Sequence, residues 1–84
     1  MRLIFSDKAW EDYTFWQTND KKILRKINQL IKDIKRKPFE GIGKPESLKH
    51  QLSGFWSRRI SDEHRLVYEV YENSIAIASC RFHY

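Results

Sequence analysis

Residues 21–37, KKILRKINQLIKDIKRK, place the strongest constraint on what this chain can fold into. Ile23, Ile27, Leu30, Ile31 and Ile34 recur at helical spacing and form one apolar stripe, while the charged residues fall mostly elsewhere around the helix. Pro38 ends it, since a prolyl nitrogen has no hydrogen to donate and its ring collides with the preceding turn. Such a stripe needs a second layer to cover it. In 84 residues there is room for one core of this kind, so 1–84 is read as a single domain. A chain this short buries only about 60% of its extended surface. Its aromatic residues, 14% of the chain, supply large buried areas in compensation.

The flanking segments suggest what the second layer is. RLIF (2–5) reads as a short strand, followed by Ser6 as an N-cap and Asp7 in a first helical turn. Trp10, Tyr13 and Trp16 then follow at three-residue spacing, which predicts an amphipathic helix to about Gln17. TND (18–20) breaks it and can cap the next helix, giving an antiparallel helix hairpin. Residues 38–54, PFEGIGKPESLKHQLSG, hold both prolines and all three glycines. They read as a long loop with one helical turn beginning at Pro45. Three strand-like runs follow, FWSRRI (55–60), HRLVYEVY (64–71) and SIAIASCRFHY (74–84), separated by SDE and EN, as in an antiparallel meander. The expected class is α+β: the N-terminal strand and helix hairpin packed on one face of a four-stranded antiparallel sheet. Residues 83 and 84 are expected to be held by pairing of the last strand.

Several functional classes are excluded. The apolar runs are too short to cross a membrane, and MRLIFSDKAW meets charge too early for a signal peptide. Cys80 is the only cysteine, so no internal disulfide forms and a reducing cytoplasm fits. Mid-strand among apolar neighbours, it reads as a packed thiol. His50, His64 and His83 lack short ligand spacing, which argues against a metal site, and no motif calls for a cofactor. His50 and His64 read as exposed structural residues, and Tyr68 and Tyr71 as sheet packing. The balance of 16 Lys and Arg against 11 Asp and Glu gives a net charge of +5. Eight of the basic residues fall within 21–37: Lys21, Lys22, Arg25, Lys26, Lys32, Lys35, Arg36 and Lys37. Such clustering suits a polyanion, most often nucleic acid; an ordinary solvated helix face explains it equally well.

The remaining polar residues suit metal-free cleavage of an RNA phosphodiester. That reaction needs a base for the 2′-hydroxyl, an acid for the leaving 5′ oxygen, and cations against the phosphorane. Glu46 is a candidate base, and His83 a candidate acid because imidazole titrates near working pH. Arg65, Arg59 and Lys49 are candidate clamps, guanidinium being suited to bidentate phosphate contacts. Tyr84 can stack on an exposed base. Each has a plainer reading: Glu46 as a solvated first-turn carboxylate, Lys49 as a surface lysine, Arg65 as an ion-pair partner of Glu63 or Glu69, His83 as a solvated ring. Arg58 and Arg59 point to opposite faces of a strand, so at most one enters a shared site, and periodicity does not choose between them. Alternation also separates His83 from Tyr84, unless the chain twists or lies at the sheet edge.

KPESLKHQLSGFWSRRISDEHRLVYEV together with CRFHY resembles the YoeB toxins, a branch of the RelE superfamily of bacterial toxin–antitoxin systems. The likeness extends over essentially the whole chain, including DYTFWQTNDKKILRKINQLIKDI and the two-proline loop. It implies a RelE-like fold related to microbial ribonucleases, and an endoribonuclease that cuts messenger RNA at the ribosomal A site. It also implies neutralisation by a YefM-type antitoxin, repression of their operon through operator DNA bound by the complex, and a homodimer. By position, the general base falls on Glu46, the general acid on His83 and the transition-state cation on Arg65. Lys49 and Arg59 match basic positions lining the site, and Tyr84 the terminal aromatic that contacts substrate. The resemblance further suggests that part of the basic helix contacts ribosomal RNA. The alternatives are a non-enzymatic module that blocks translation by occupancy and a DNA-binding regulator. The second is disfavoured because the helix pair leads into a Pro/Gly loop and not a helix-turn-helix.

Overall fold

The structure, a computed structural model, describes residues 1–83. Its elements in chain order are β1 (Arg2–Phe5), α1 (Asp7–Asn19), α2 (Lys21–Arg36), β2 (Glu46–Ser47), a 3-10 turn (His50–Leu52), β3 (Trp56–Arg59), β4 (Arg65–Tyr71) and β5 (Ser74–Ser79). The Ser6 hydroxyl accepts from the Ala9 N–H and donates to the Ala78 carbonyl, so one side chain caps α1 and ties it to β5. Asp20 serves both helices. Its N–H closes α1 on the Trp16 carbonyl, and its carboxylate accepts from the N–H groups of Lys22 and Ile23.

The stripe on α2 is buried as its spacing requires: Ile27, Leu30, Ile31 and Ile34 lie in the core, with Ile23 packed at its margin. Each buried aliphatic side chain contributes roughly 2 kcal/mol by leaving water. On α1 the inward residues are Ala9, Asp12 and Trp16, whereas Trp10 is 55% exposed. Positions six apart on a helix are turned by about 120° from each other, so Trp10 and Trp16 cannot share one face. Trp10 instead stacks on Tyr13.

The sheet has five strands in the order β1-β5-β4-β3-β2, and both helices lie on one face of it. The α+β architecture matches the sequence, with three corrections. First, β1 runs parallel to β5, so the sheet is mixed; apolar periodicity carries no information on strand direction. Second, the segment after Pro45 is not a helical turn. Glu46 and Ser47 pair with Ser57 and Trp56 as a fifth strand, and the turn comes later, at His50. The fixed φ of proline suits an extended segment as well as a helix start. Third, β5 stops at Ser79. A register irregularity at Val67/Tyr68 and side-chain claims on Cys80, described below, turn the chain out of the ladder.

One buried cation organises the loop between α2 and β2. Arg58 has no exposed surface. Its guanidinium donates to Asp33 Oδ2 at 2.5 Å and to the carbonyls of Ile42, Lys37 and Glu40, while Nε donates to the Tyr68 hydroxyl. That hydroxyl donates onward to the Pro38 carbonyl, and Asp33 accepts the Ile42 N–H. Gly41 passes so close to the Asp33 carboxylate, at φ +127°, that a Cβ would collide with it. The loop is therefore wrapped around an arginine, with every N–H of the fork directed at an acceptor.

Two outcomes are expected. Removing one partner of a buried, bonded charge costs on the order of 3 kcal/mol or more. Arg58→Met should accordingly lower the melting temperature by at least about 12 °C in a domain of this size. Arg59→Met, one residue away on an exposed side chain, should shift it by no more than a few degrees. Equal shifts in calorimetry would contradict the network. The second concerns acid. The Arg58 hydrogen bond, then the Ile42 N–H, hold the Asp33 carboxyl below its ordinary value of 3.8. A depressed folded-state pKa stabilises the fold above the unfolded value, and that stability is lost as pH falls through the folded one. Urea midpoints should therefore fall below about pH 4, and Asp33→Asn should be less stable at neutral pH yet flatter across the acid range.

Candidate active site

Register alone assembles most of the site. Residues opposite each other in adjacent strands point to the same face. Glu46 lies opposite Ser57, and Arg59 opposite Arg65. Ser57 and Arg59 are two apart on β3, so all four project from one face of β2, β3 and β4. Arg58, Leu66 and Tyr68 project from the other, against the helices. The parity question at Arg58 and Arg59 is thereby answered: Arg58 is structural, and Arg59 enters the site.

These residues line a cavity of about 300 Å³ with Lys44, Pro45 and His83. Glu46 is held there by its pairing with β3 and is not the first-turn carboxylate of a helix. Arg65 is almost wholly buried. It does not pair with Glu63 or Glu69; through Nη1 its guanidinium donates to the carbonyls of Ser61, Asp62 and His64. Carbonyl partners orient a guanidinium without neutralising it. The cavity thus sets one carboxylate and one imidazole among Lys44, Arg59 and Arg65, a net positive field suited to an anionic ligand.

His83 reaches the cavity by a route that strand alternation does not contain. Beyond Ser79 the chain is fastened to α1. The buried Asp12 carboxylate accepts the Cys80 N–H at 2.9 Å, and the Trp16 indole donates to the Cys80 carbonyl at 2.9 Å. The Arg81 guanidinium lies over the Phe15 ring, 3.5 Å from its centroid. Phe82 then adopts φ +65°, its N–H donating to His64 Nδ1 at 2.7 Å and its carbonyl accepting from the Arg65 N–H. His83 Nε2 lies 3.2 Å from the Asp62 carbonyl. Residues 80–83 are held by side chains and one turn, and not by continued pairing. Cys80 is a packed thiol, pushed up to about 12 by burial and, next, by the Asp12 carboxylate.

Of the residues singled out in the sequence, the structure brings together Glu46, Arg59, Arg65 and His83. Lys49 is exposed at the start of the 3-10 turn and does not line the cavity. Tyr84 lies outside the described residues. Sequence reasoning missed Ser57 and Lys44 in the lining; Ser57 was accessible from alternation with Arg59, whereas nothing local marked Lys44. It also misjudged His64, which is half-buried and not exposed, its ring packed edge-on against Trp16 at 4.8 Å.

The profile of the family described as "YoeB-like toxin of bacterial type II toxin-antitoxin system" matches residues 5–84. The chain belongs to this family. It is 64% identical to toxin YoeB of Escherichia coli K12 over the full length of both chains. Among solved structures it resembles a YoeB/ParE toxin from Agrobacterium tumefaciens, at 49% identity and TM-score 0.97 over all of both chains. It also resembles YoeB of Staphylococcus aureus, solved as a dimer (56% identity, TM-score 0.94) and in a heterotetrameric complex with YefM (56% identity, TM-score 0.92). Each of these alignments covers all of this chain and 98% of the other. Two helices on a five-stranded sheet is the RelE-like arrangement the family shares.

The clamp on Cys80 is directly testable. Only the thiolate is nucleophilic, so the native thiol at pH 8 should alkylate roughly a thousandfold more slowly than in the urea-unfolded chain. Comparable rates by mass spectrometry would mean that Asp12 and Trp16 do not hold the turn closed.

Proposed function

We propose that the chain is an endoribonuclease that cuts messenger RNA in the A site of the small ribosomal subunit, using acid–base chemistry from its own side chains. The observation that carries this reading is the gathering of a carboxylate, an imidazole and two guanidiniums in one positively charged cavity. Glu46 takes the proton of the 2′-hydroxyl. The 2′ oxygen attacks phosphorus, and the P–O5′ bond breaks as His83, in its protonated form, gives a proton to the departing 5′ oxygen. The products are a 2′,3′-cyclic phosphate and a 5′-hydroxyl. Arg65, oriented by the carbonyls of the 61–64 turn, and Arg59 bind the phosphorane oxygens as their charge grows, which is the term expected to lower the barrier most. Lys44 adds to the field, Lys49 attracts the strand from outside the cavity, and Tyr84 stacks on a base.

The basic residues of α2 serve a different contact. Lys21, Lys22, Arg25, Lys32, Lys35, Arg36 and Lys37 are exposed, on the layer that covers the opposite face of the sheet from the cavity. A short substrate strand in the cavity cannot reach them, so their partner is ribosomal RNA, bound through phosphate neutralisation. A YefM-type antitoxin neutralises the toxin and, with it, binds operator DNA. The support is the S. aureus relative solved with YefM, and the same relative's dimer supports a homodimer here.

The test is cleavage on translating ribosomes in EDTA, comparing the unmodified chain with His83→Gln and mapping both messenger ends. A cut confined to the A-site codon, ending in a cyclic or 3′ phosphate, is expected. It should be slowed by roughly 10²–10⁴-fold in the variant, the usual contribution of a positioned acid. Ribosome binding with intact messenger in both samples would instead mean inhibition by occupancy, and the catalytic roles would fall.

A further inference from the structure

We propose that His64 is a positioning residue for this reaction: its Nδ1 holds Phe82 in a left-handed backbone conformation, and that conformation delivers His83 to the cavity. The inference rests on the ribonuclease reading above and assigns a task to a residue outside the cavity lining.

The argument starts from strain. Phe82 sits at φ +65°, a region that is strained for a non-glycine residue and persists only when neighbours enforce it. Its side chain is 54% exposed and meets only the edge of its surroundings, at the His64 ring and the Arg81 guanidinium. Both of its backbone groups, however, are engaged by consecutive residues at the start of β4. Its N–H donates to His64 Nδ1 at 2.7 Å, and its carbonyl accepts from the Arg65 N–H at 3.1 Å. An extended Phe82 would send residue 83 in a different direction.

His64 is itself immobilised. Its ring meets Trp16 edge-on at 4.8 Å and Phe82 at 5.6 Å. Its N–H donates to the Ser61 hydroxyl, and its carbonyl accepts from the N–H groups of Ile60 and Ser61 and from Arg65 Nη1. An amide can only donate, so Nδ1 must carry the lone pair and any ring proton must sit on Nε2. The 61–65 turn therefore does three things. Its carbonyls orient the Arg65 guanidinium, its Asp62 carbonyl contacts His83 Nε2, and its His64 ring sets the backbone that carries His83. Acid and clamp are held in register by one short segment.

Two substitutions separate the acceptor from the packing. His64→Phe keeps a ring against Trp16 and removes the acceptor. His64→Asn loses the ring but places an amide oxygen close to where Nδ1 lies. On translating ribosomes, His64→Phe should lower kcat by about tenfold or more, the scale of a small misplacement of a reacting group, with KM changed by less than about threefold. The Phe82 amide should exchange with solvent correspondingly faster. His64→Asn should recover both to within about threefold of the unmodified chain. Full kcat in His64→Phe, an asparagine variant as impaired as the phenylalanine one, or an unchanged Phe82 exchange rate would each overturn the proposal. If the unmodified chain does not cleave, the ribonuclease reading fails by itself. Phe82 exchange and the His83 ring resonances still decide the positioning role, which stands if they change in His64→Phe and falls if they do not.

Discussion

The guanidinium of Arg58 is the interaction on which the placement of the rest depends. It reaches across the helix-facing side of the sheet to Asp33 on α2 and to three carbonyls of the following loop, with Tyr68 completing its shell. A buried charge is costly unless its hydrogen-bonding capacity is used in full, and that requirement defines the path of residues 37–42. The Arg59 N–H then donates to the Gly43 carbonyl, so the loop is laid beside β3 and Glu46 emerges opposite Ser57. A 17-residue segment rich in proline and glycine is thereby ordered without a core of its own. The carboxylate it carries into the cavity is positioned by an arginine that faces the helices.

The other half of the site follows similar logic with different chemistry. Beyond β5 the chain abandons ladder hydrogen bonds, and the polar groups it leaves behind are taken up by Asp12, Trp16 and His64. These residues come from α1 and from the start of β4, so helix, sheet and closing turn meet around Cys80 and Phe82. Functional groups on loops are accurate only when a rigid scaffold dictates the loops. Here the scaffold does so through side chain to backbone bonds, which specify direction as well as proximity. The layered fold also separates two positive surfaces: a cavity on the open face of the sheet, and the exposed side of α2 on the far layer. In a domain of this size the arrangement keeps the two positive surfaces on opposite layers.

Much of this was legible in the sequence, where the physics is local. The α2 stripe, the Ser6 and Asp20 caps, the strand meander and the packed thiol each follow from spacing or from the chemistry of one residue, and all appear in the structure. Glu46, Arg59, Arg65 and His83 could be named as chemically suited, because the residue types of acid–base phosphodiester cleavage are few. The sequence by itself determined the α+β class, the membership of the YoeB-like toxin family, the basic helix and the inventory of reactive groups. Tertiary structure alone decided which arginine is buried, since neighbours on a strand differ only in which face the sheet turns to the helices. It alone decided that β1 runs parallel to β5 and that Glu46 lies on a strand, because pairing partners are remote in sequence. It alone assigned Asp12, Asp33 and His64 their work, since a buried polar side chain is recognised by what it bonds, and those partners lie 68, 25 and 18 residues away.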